Sequence, residues 1–234
     1  FPDAIELFNE GSAAVDLSGL RLTDSTASPN KFSFPNGTTL ATNRYLVVYA
    51  NNADGTPGLH TGFSLNQDGE GVFLFDKVAS GGALLDSVSF GLQLPDLSIG
   101  RIHSGGEFLL TQPTLGTNNV PQNLGDPRDL KINEWLASGS VVSPTDFVEL
   151  FNRNALPVSL GGLSFTDNAI SEPFQSPIAP LSFIAGGGFR LFKADGDPQQ
   201  GNDHLAFKLA AEQGMIALLQ PDAEILDLVL YGPQ

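Results

Sequence analysis

Residues 146–167 read DFVELFNRNALPVSLGGLSFTD, and residues 3–24 read DAIELFNEGSAAVDLSGLRLTD, the same pattern without a gap at an offset of 143. From Ile5/Val148 to Asp24/Asp167, ten of twenty aligned positions are identical, among them Glu6/Glu149, Leu7/Leu150, Phe8/Phe151, Asn9/Asn152, Gly19/Gly162 and Thr23/Thr166. A self-similar block recurring after roughly 140 residues makes the chain a tandem repeat of two domain-sized units. Inside the block, Ile5 and Leu7 alternate with Glu6 and Phe8, the two-residue period of a half-buried strand. Asn9, Glu10, Gly11 and Ser12 end that strand with turn residues, Gly19 permits a bend, and a second strand follows from Leu20 to Thr23.

Working outward, Asn36-Gly37 between FSFP and TTLA predicts the turn of a tight hairpin, because both central positions of such a turn favour positive φ. The same residues open an Asn-Gly-Thr sequon, which the turn role already explains. YLVVY (45–49) is the most apolar strand of the first copy and is expected in mid-sheet. HTGFSL, GVFLF and LLDSVSFG in the first copy are echoed by HLAFKL, GMIAL and ILDLVLYG in the second. KLAAEQ (208–213) allows one helical turn at most, since a run of helical period is missing.

The two ends differ. KINEWLASG (131–139) opens the second copy as a strand that the first lacks, and DLSIGRIHSGGEFLLTQPTLGTNN (96–119) closes the first with a segment that the second lacks. The expected division is a first domain at 1–116 with its opening strand missing, a linker at 117–129 (TNNVPQNLGDPRD), and a second domain at 130–234 with its closing segment missing.

Composition narrows the function classes. With 26 Gly and 16 Pro the chain is cut into short segments, which suits an all-β domain. Eleven Lys+Arg against 26 Asp+Glu give a net charge of -15, which repels a phosphate backbone and argues against a nucleic-acid partner. No apolar run approaches the roughly eighteen residues of a membrane span. Cysteine is absent, so disulfides, thiolate metal sites and a Cys nucleophile are unavailable. The start FPDAIEL carries neither a methionine nor a leader, so any targeting segment is expected to be removed or to lie outside this piece. An acidic, Lys-poor, Asn/Thr/Gly-rich chain is compatible with an exported bacterial protein.

Few residues suggest chemistry. Glu6 and Glu149 lie in separate domains and cannot form the carboxylate pair, held about 5–10 Å apart, that glycosidase chemistry needs. An exposed strand carboxylate paired with a neighbour such as Arg21 is the plainer expectation. Asp86 and Asp227 suggest hydrogen bonds to backbone. His60 and His204 recur before Phe63 and Phe207, which argues for a structural part, while His103 has no counterpart. Oxygen-rich loops with Asn51, Asn52 and Asp54 in copy one, and Asp195, Asp197, Asn202 and Asp203 in copy two, are the calcium candidates, although their spacing fits neither an EF-hand loop nor a glycine-rich calcium repeat. No GxSxG elbow occurs, and Gly186–Gly188 precedes a strand rather than the helix that a phosphate cradle needs. The single Trp, Trp135, is expected to cap the second core. No catalytic residue and no cofactor is assigned.

INEWLAS, DFVELFN, LGGLSFTD, PLSFIAGGGFRLFKAD, LAFKL, GMIALL and ILDLVLYG in copy two, with FPNGTTLATNRYLVVYAN, GFSLNQDGEGVFLFD, LLDSVSFG and SIGRI in copy one, resemble the lamin-tail domain family. The resemblance implies two tandem immunoglobulin-like β-sandwiches with structural or interaction roles and no shared catalytic residues. It further implies a module of a larger secreted or cell-surface bacterial protein, its partners being other proteins or copies of itself. Two alternatives accompany it: a filament subunit assembling by β-strand addition, and accessory domains of a larger extracellular hydrolase or nuclease.

Overall fold

The computed structural model describes residues 3–53, 55–102, 105–137 and 145–233, and over these the chain is all-β with two short 3-10 turns. It divides into two compact units. The first comprises 1–66, 70–89 and 95–122, and the second 67–69, 90–94 and 123–234.

In the first unit the strands are β1 (Ala4–Phe8), β2 (Val15–Asp16), β3 (Arg21–Thr23), β4 (Phe32–Ser33), β5 (Thr39–Leu40), β6 (Tyr45–Tyr49), β7 (Leu59–His60), β8 (Glu70–Phe75), β9 (Leu84–Phe90), β10 (Ser98–Arg101), β11 (Phe108–Gln112) and β12 (Val120–Pro121). They form sheets β1-β6-β7, β2-β5, β4-β3-β8-β9 and β10-β11-β12. YLVVY takes the expected central place, antiparallel to β1 and parallel to β7. Period-two alternation turns Ile5 and Leu7 toward the buried Leu17, Leu20, Leu22, Phe34, Leu40 and Val48.

In the second unit follow β13 (Leu130–Leu136), β14 (Phe147–Asn152), β15 (Val158–Ser159), β16 (Ser164–Thr166), β17 (Ser176–Pro177), β18 (Phe183–Ile184), β19 (Phe189–Lys193), β20 (Gly214–Leu219) and β21 (Ile225–Tyr231). The orders β15-β18 and β17-β16-β20-β21 reproduce β2-β5 and β4-β3-β8-β9. The third sheet is β13-β14-β19, so among the described residues the counterpart of β1 is a middle strand here, and β1 is paired on one side only in the first unit. Val148 and Leu150, the counterparts of Ile5 and Leu7, are 0 % exposed within a core that includes Leu130, Ile132, Phe165, Phe192 and Ile216. Trp135 packs against that core beside Tyr231, ring centroids 5.9 Å apart, as its apolar bulk requires.

Two local expectations change. Asn36-Gly37 does form a turn, with Thr38 N donating to Pro35 O at 3.2 Å and Gly37 at φ +84°, but it closes no hairpin. The flanking strands β4 and β5 pair with β3 and β2, so the turn hands the chain from one sheet to another. KLAAEQ carries no helical turn. Within 117–129, Val120–Pro121 pairs with β11 and Pro127–Asp129 forms a 3-10 turn, its first N–H groups met by the Asp126 side chain accepting from Arg128 N.

Candidate functional site

The repeated polar residues are the natural place to look for chemistry, and most are committed to bracing the backbone. Asn9 is 6 % exposed and Asn152 0 %. Asn9 Nδ2 donates to the Ala13 and Leu40 carbonyls, each at 2.9 Å, while its Oδ1 accepts from Gly11 N at 2.9 Å. Asn152 repeats the set with the Leu156 and Ala185 carbonyls and Asn154 N, all at 2.9 Å. Thr23 and Thr166, both 0 % exposed, likewise close the loops after β3 and β16, through Ser28 O and Glu172 O at 2.8 Å. Buried polar atoms must find partners, and a side chain that ties a loop to a strand supplies them.

The carboxylates follow the same logic. Glu6 Oε1 accepts from Gly116 N at 2.6 Å, and Glu149 Oε1 accepts from Asn133 Nδ2 at 2.7 Å. Arg21 does not meet Glu6; it is buried, donates twice to Asp76 O and once to Asn30 Oδ1, and lies over the Phe75 ring. Asp227 Oδ2 accepts from Ile132 N at 2.8 Å with Lys131 Nζ on its other oxygen, a bond to backbone as expected. Asp86 also accepts from backbone as expected, Ser87 N at 2.8 Å, and takes in addition a two-pronged hydrogen bond from Arg101, 2.7 and 2.9 Å, which holds its carboxyl below the ordinary range despite partial burial.

Burial pushes the Glu6 carboxyl above its usual range, and the Gly116 N–H only partly offsets this. A carboxyl raised on folding contributes stability below its unfolded pKa and loses it as pH rises through the folded value. Glu6→Gln keeps an oxygen for Gly116 and removes the penalty. It is expected to gain a few tenths of a kcal/mol at pH 7 and nothing near pH 3, read by urea denaturation at the two pH values.

The histidines sit in equivalent loops. His60 Nδ1 lies 2.7 Å from Asn51 Oδ1, and His204 Nδ1 lies 2.6 Å from Asp195 Oδ2. The His204 side chain is 8 % exposed, and its Nε2 stands 3.1 Å from Lys193 Nζ. The carboxylate fixes the proton on Nδ1, and Nε2 then accepts from the lysine, so the lone pair that a general base would use is engaged. A cleft of about 270 Å³ opens beside this ring, lined by Gln175, Ser176, Pro198, Gly201 and Asn202 among others.

The calcium candidates are therefore dispersed in role. Asn51 accepts from its histidine; Asn52 is exposed; Asp54 lies outside the described residues, as does His103. Asp195 serves His204 and Asp197 N, Asp197 Oδ2 accepts from Gln200 Nε2 at 2.9 Å, Asp203 pairs with Lys193 at 3.0 Å, and Asn202 lines the cleft. Among the described residues no three His, Asp or Glu side chains stand where they would hold a metal ion. No helix in the described residues is long and apolar enough to cross a membrane.

Burial works against the Asp195 carboxylate, but the Asp197 N–H and His204 outweigh it and its pKa lies below the ordinary value. Such a group stabilises the fold above its unfolded pKa and ceases to as pH falls through the folded one. Asp195→Asn, which recreates the Asn51–His60 pair, is expected to cost under about 1 kcal/mol at pH 7 and to match the parent near pH 2. Urea titrations at both pH values check it.

In the sequence Asn9 reads as a turn former, while Asn152, Thr23 and Thr166 stand out only as repeated identities. The signal was present, because polar identities retained in two copies beside apolar ones point to a geometric duty. Comparison with curated proteins and with solved structures gave no match. Residues 2–91 match the family model of the Lamin Tail Domain, so over that segment the chain is similar to lamin-tail domains, and its described residues are all-β as an immunoglobulin-like β-sandwich requires.

Proposed function

We propose that the chain is a non-enzymatic structural and interaction module of a larger secreted or cell-surface bacterial protein, contacting other proteins through its sheet edges and loops. One observation carries the reading: the polar side chains repeated in both copies, Glu6/Glu149, Asn9/Asn152, Thr23/Thr166 and Asp86/Asp227, are bonded to the fold's own backbone and side chains. What duplication has kept is a scaffold. The lamin-tail match and the acidic composition support the same reading. Calcium at Asp195, Asp197 and Asp203 would have to displace the N–H and ammonium donors already in place.

The test has two arms. The purified chain, offered ester, glycoside and phosphodiester substrates with and without calcium or magnesium, is expected to turn over none; a turnover abolished by His204→Ala would sink the non-enzymatic reading. Antibodies raised against the folded chain are expected to label intact cells of the source organism. Labelling only after lysis would remove the surface assignment.

A further inference from the structure

We infer that Asn36 is a self-modification site, its side chain cyclising onto the Gly37 nitrogen with loss of ammonia, and that the Ser18 hydroxyl sets the rate by holding that nitrogen away.

The reaction needs one particular neighbour. The Gly37 nitrogen, giving up its proton to solvent base, attacks Asn36 Cγ. The new N–Cγ bond closes a succinimide ring, and the side-chain nitrogen leaves as ammonia, taking a proton from water. Water then opens the ring at either carbonyl, yielding aspartate or, with the backbone rerouted through Cβ, isoaspartate. A following residue without a Cβ leaves its nitrogen open to approach, and Asn36-Gly37 is the one Asn-Gly pair in the chain. Both residues are exposed, and a Cβ built on Gly37 would meet nothing within 4 Å, so there is room for the rotation that closure demands.

The fold holds the pair short of reaction. Thr38 N donates to Pro35 O, and Gly37 at φ +84° in the third position makes this a type II turn. The second position of such a turn has ψ of about +120°, which swings the Gly37 nitrogen away from the Asn36 side chain. Ser18 Oγ then fixes that nitrogen, accepting its N–H at 2.9 Å. Ser18 is itself anchored: its hydroxyl donates to Asp16 Oδ1 at 2.5 Å, and its N–H to the same oxygen at 2.9 Å. Those two bonds, with Lys77 Nζ 3.0 Å from the other oxygen, hold the Asp16 pKa down at about 2, so the anchor stays charged throughout the neutral range. Ring closure has to break the Ser18 bond and rotate the peptide between Asn36 and Gly37.

The second unit does without this chemistry. Leu17 N to Thr38 O and Gly19 N to Phe34 O in the first unit are matched by Leu160 N to Ser182 O and Gly162 N to Ile178 O in the second. That register sets Pro180-Leu181 at the place of Asn36-Gly37, with Leu181 at φ +53°, and Ser159 and Gly161 at the places of Asp16 and Ser18. The chain turns there on a pair that cannot cyclise. Where the reactive pair is absent, the restraining hydroxyl and its carboxylate anchor are absent too.

The experiment incubates the whole 234-residue chain at neutral pH, digests samples after lysine and arginine, and follows fragment 32–44 by mass spectrometry, with fragmentation separating Asn36 from Asn43. The folded chain is expected to convert Asn36 at least about threefold more slowly than the same fragment incubated free. Ser18→Ala is expected to convert it about three- to tenfold faster than the parent, as loss of one hydrogen bond implies, and Ser18→Thr, which keeps the hydroxyl, to stay within about twofold of the parent. Hydrogen exchange of the β6 amides checks that each variant is folded, and the Gly37 amide is expected to be protected in the parent and unprotected in Ser18→Ala. Should Ser18→Ala fail to fold, the ratio of parent to free fragment and the Gly37 protection of the parent decide. An Asn36 that stays unmodified in the free fragment, equal rates in parent and fragment, an unprotected Gly37 amide in the parent, or a folded Ser18→Ala variant no faster than the parent would overturn the inference.

Discussion

Asn152→Asp is expected to destabilise the second unit by about 3–5 kcal/mol, enough to consume much of the stability of an ordinary domain. The side chain is 0 % exposed, and its Nδ2 supplies the hydrogens for two carbonyls, Leu156 and Ala185. Aspartate is nearly isosteric but has no N–H to give. It would place an anionic oxygen against two carbonyl oxygens away from water, and protonation would recover only one of the two bonds. Asn152→Ala leaves the same carbonyls unpartnered without adding charge and should cost about 2–3 kcal/mol. Trp135, the single tryptophan, reports this unit in a urea titration followed by fluorescence. A loss below about 1 kcal/mol in the aspartate variant would mean that solvent reaches the clamp. Asn9→Asp should behave similarly in the first unit, with a smaller loss because that side chain is not fully enclosed.

Leu150→Ala is expected to cost about 3–5 kcal/mol, and Leu7→Ala, the same change at the equivalent position, no more than about half of that. Leu150 is enclosed between β13 and β19, so truncation leaves a cavity that the neighbouring strands cannot collapse. Leu7 is half-buried on a strand that is paired on one side only among the described residues, so less apolar surface is returned to water and the space can relax or hydrate. Leu150→Ala is read by Trp135 fluorescence. Leu7→Ala is read by hydrogen exchange of the β6 amides, which monitor the first unit. Equal losses at the two positions would show that something other than a strand already seals the β1 side.

How much of this was legible in the sequence follows from the range of the interactions concerned. Alternation within DAIELFN and DFVELFN, and the apolar run YLVVY, predict strands correctly because the two-residue period is local. Repetition of the block revealed that two units share one strand plan, and Gly19 and Gly37 fell at positive φ, where a side chain is disfavoured. Partner identity is another matter. Asn36-Gly37 has the composition of a hairpin turn, yet whether β4 and β5 pair with each other depends on where β3 and β2 lie, which the dipeptide does not encode. The sequence suggests Arg21 as a partner for Glu6 because both are charged and near in the chain, while the structure gives Glu6 a main-chain N–H from 110 residues away and Arg21 a carbonyl 55 residues away. The site candidates failed to assemble for the same reason: Asp195, Asp197 and Asp203 read as an acidic loop, but each is committed to a different nitrogen.

In β13 the pairing with β14 slips between Ile132 and Glu134, so that Leu130 and Ile132 precede the irregularity on the core side and Trp135 follows it there. A strand has only two sides, and an added or lost residue normally exchanges them for everything downstream. The slip absorbs one such change without turning the strand over. Single-residue insertions and deletions should therefore be survivable in the lineage at this one position of the opening strand, whereas in β14 or β19 only paired length changes would keep the apolar side inward. The irregularity marks where the length of this fold can drift while its inside and outside stay fixed.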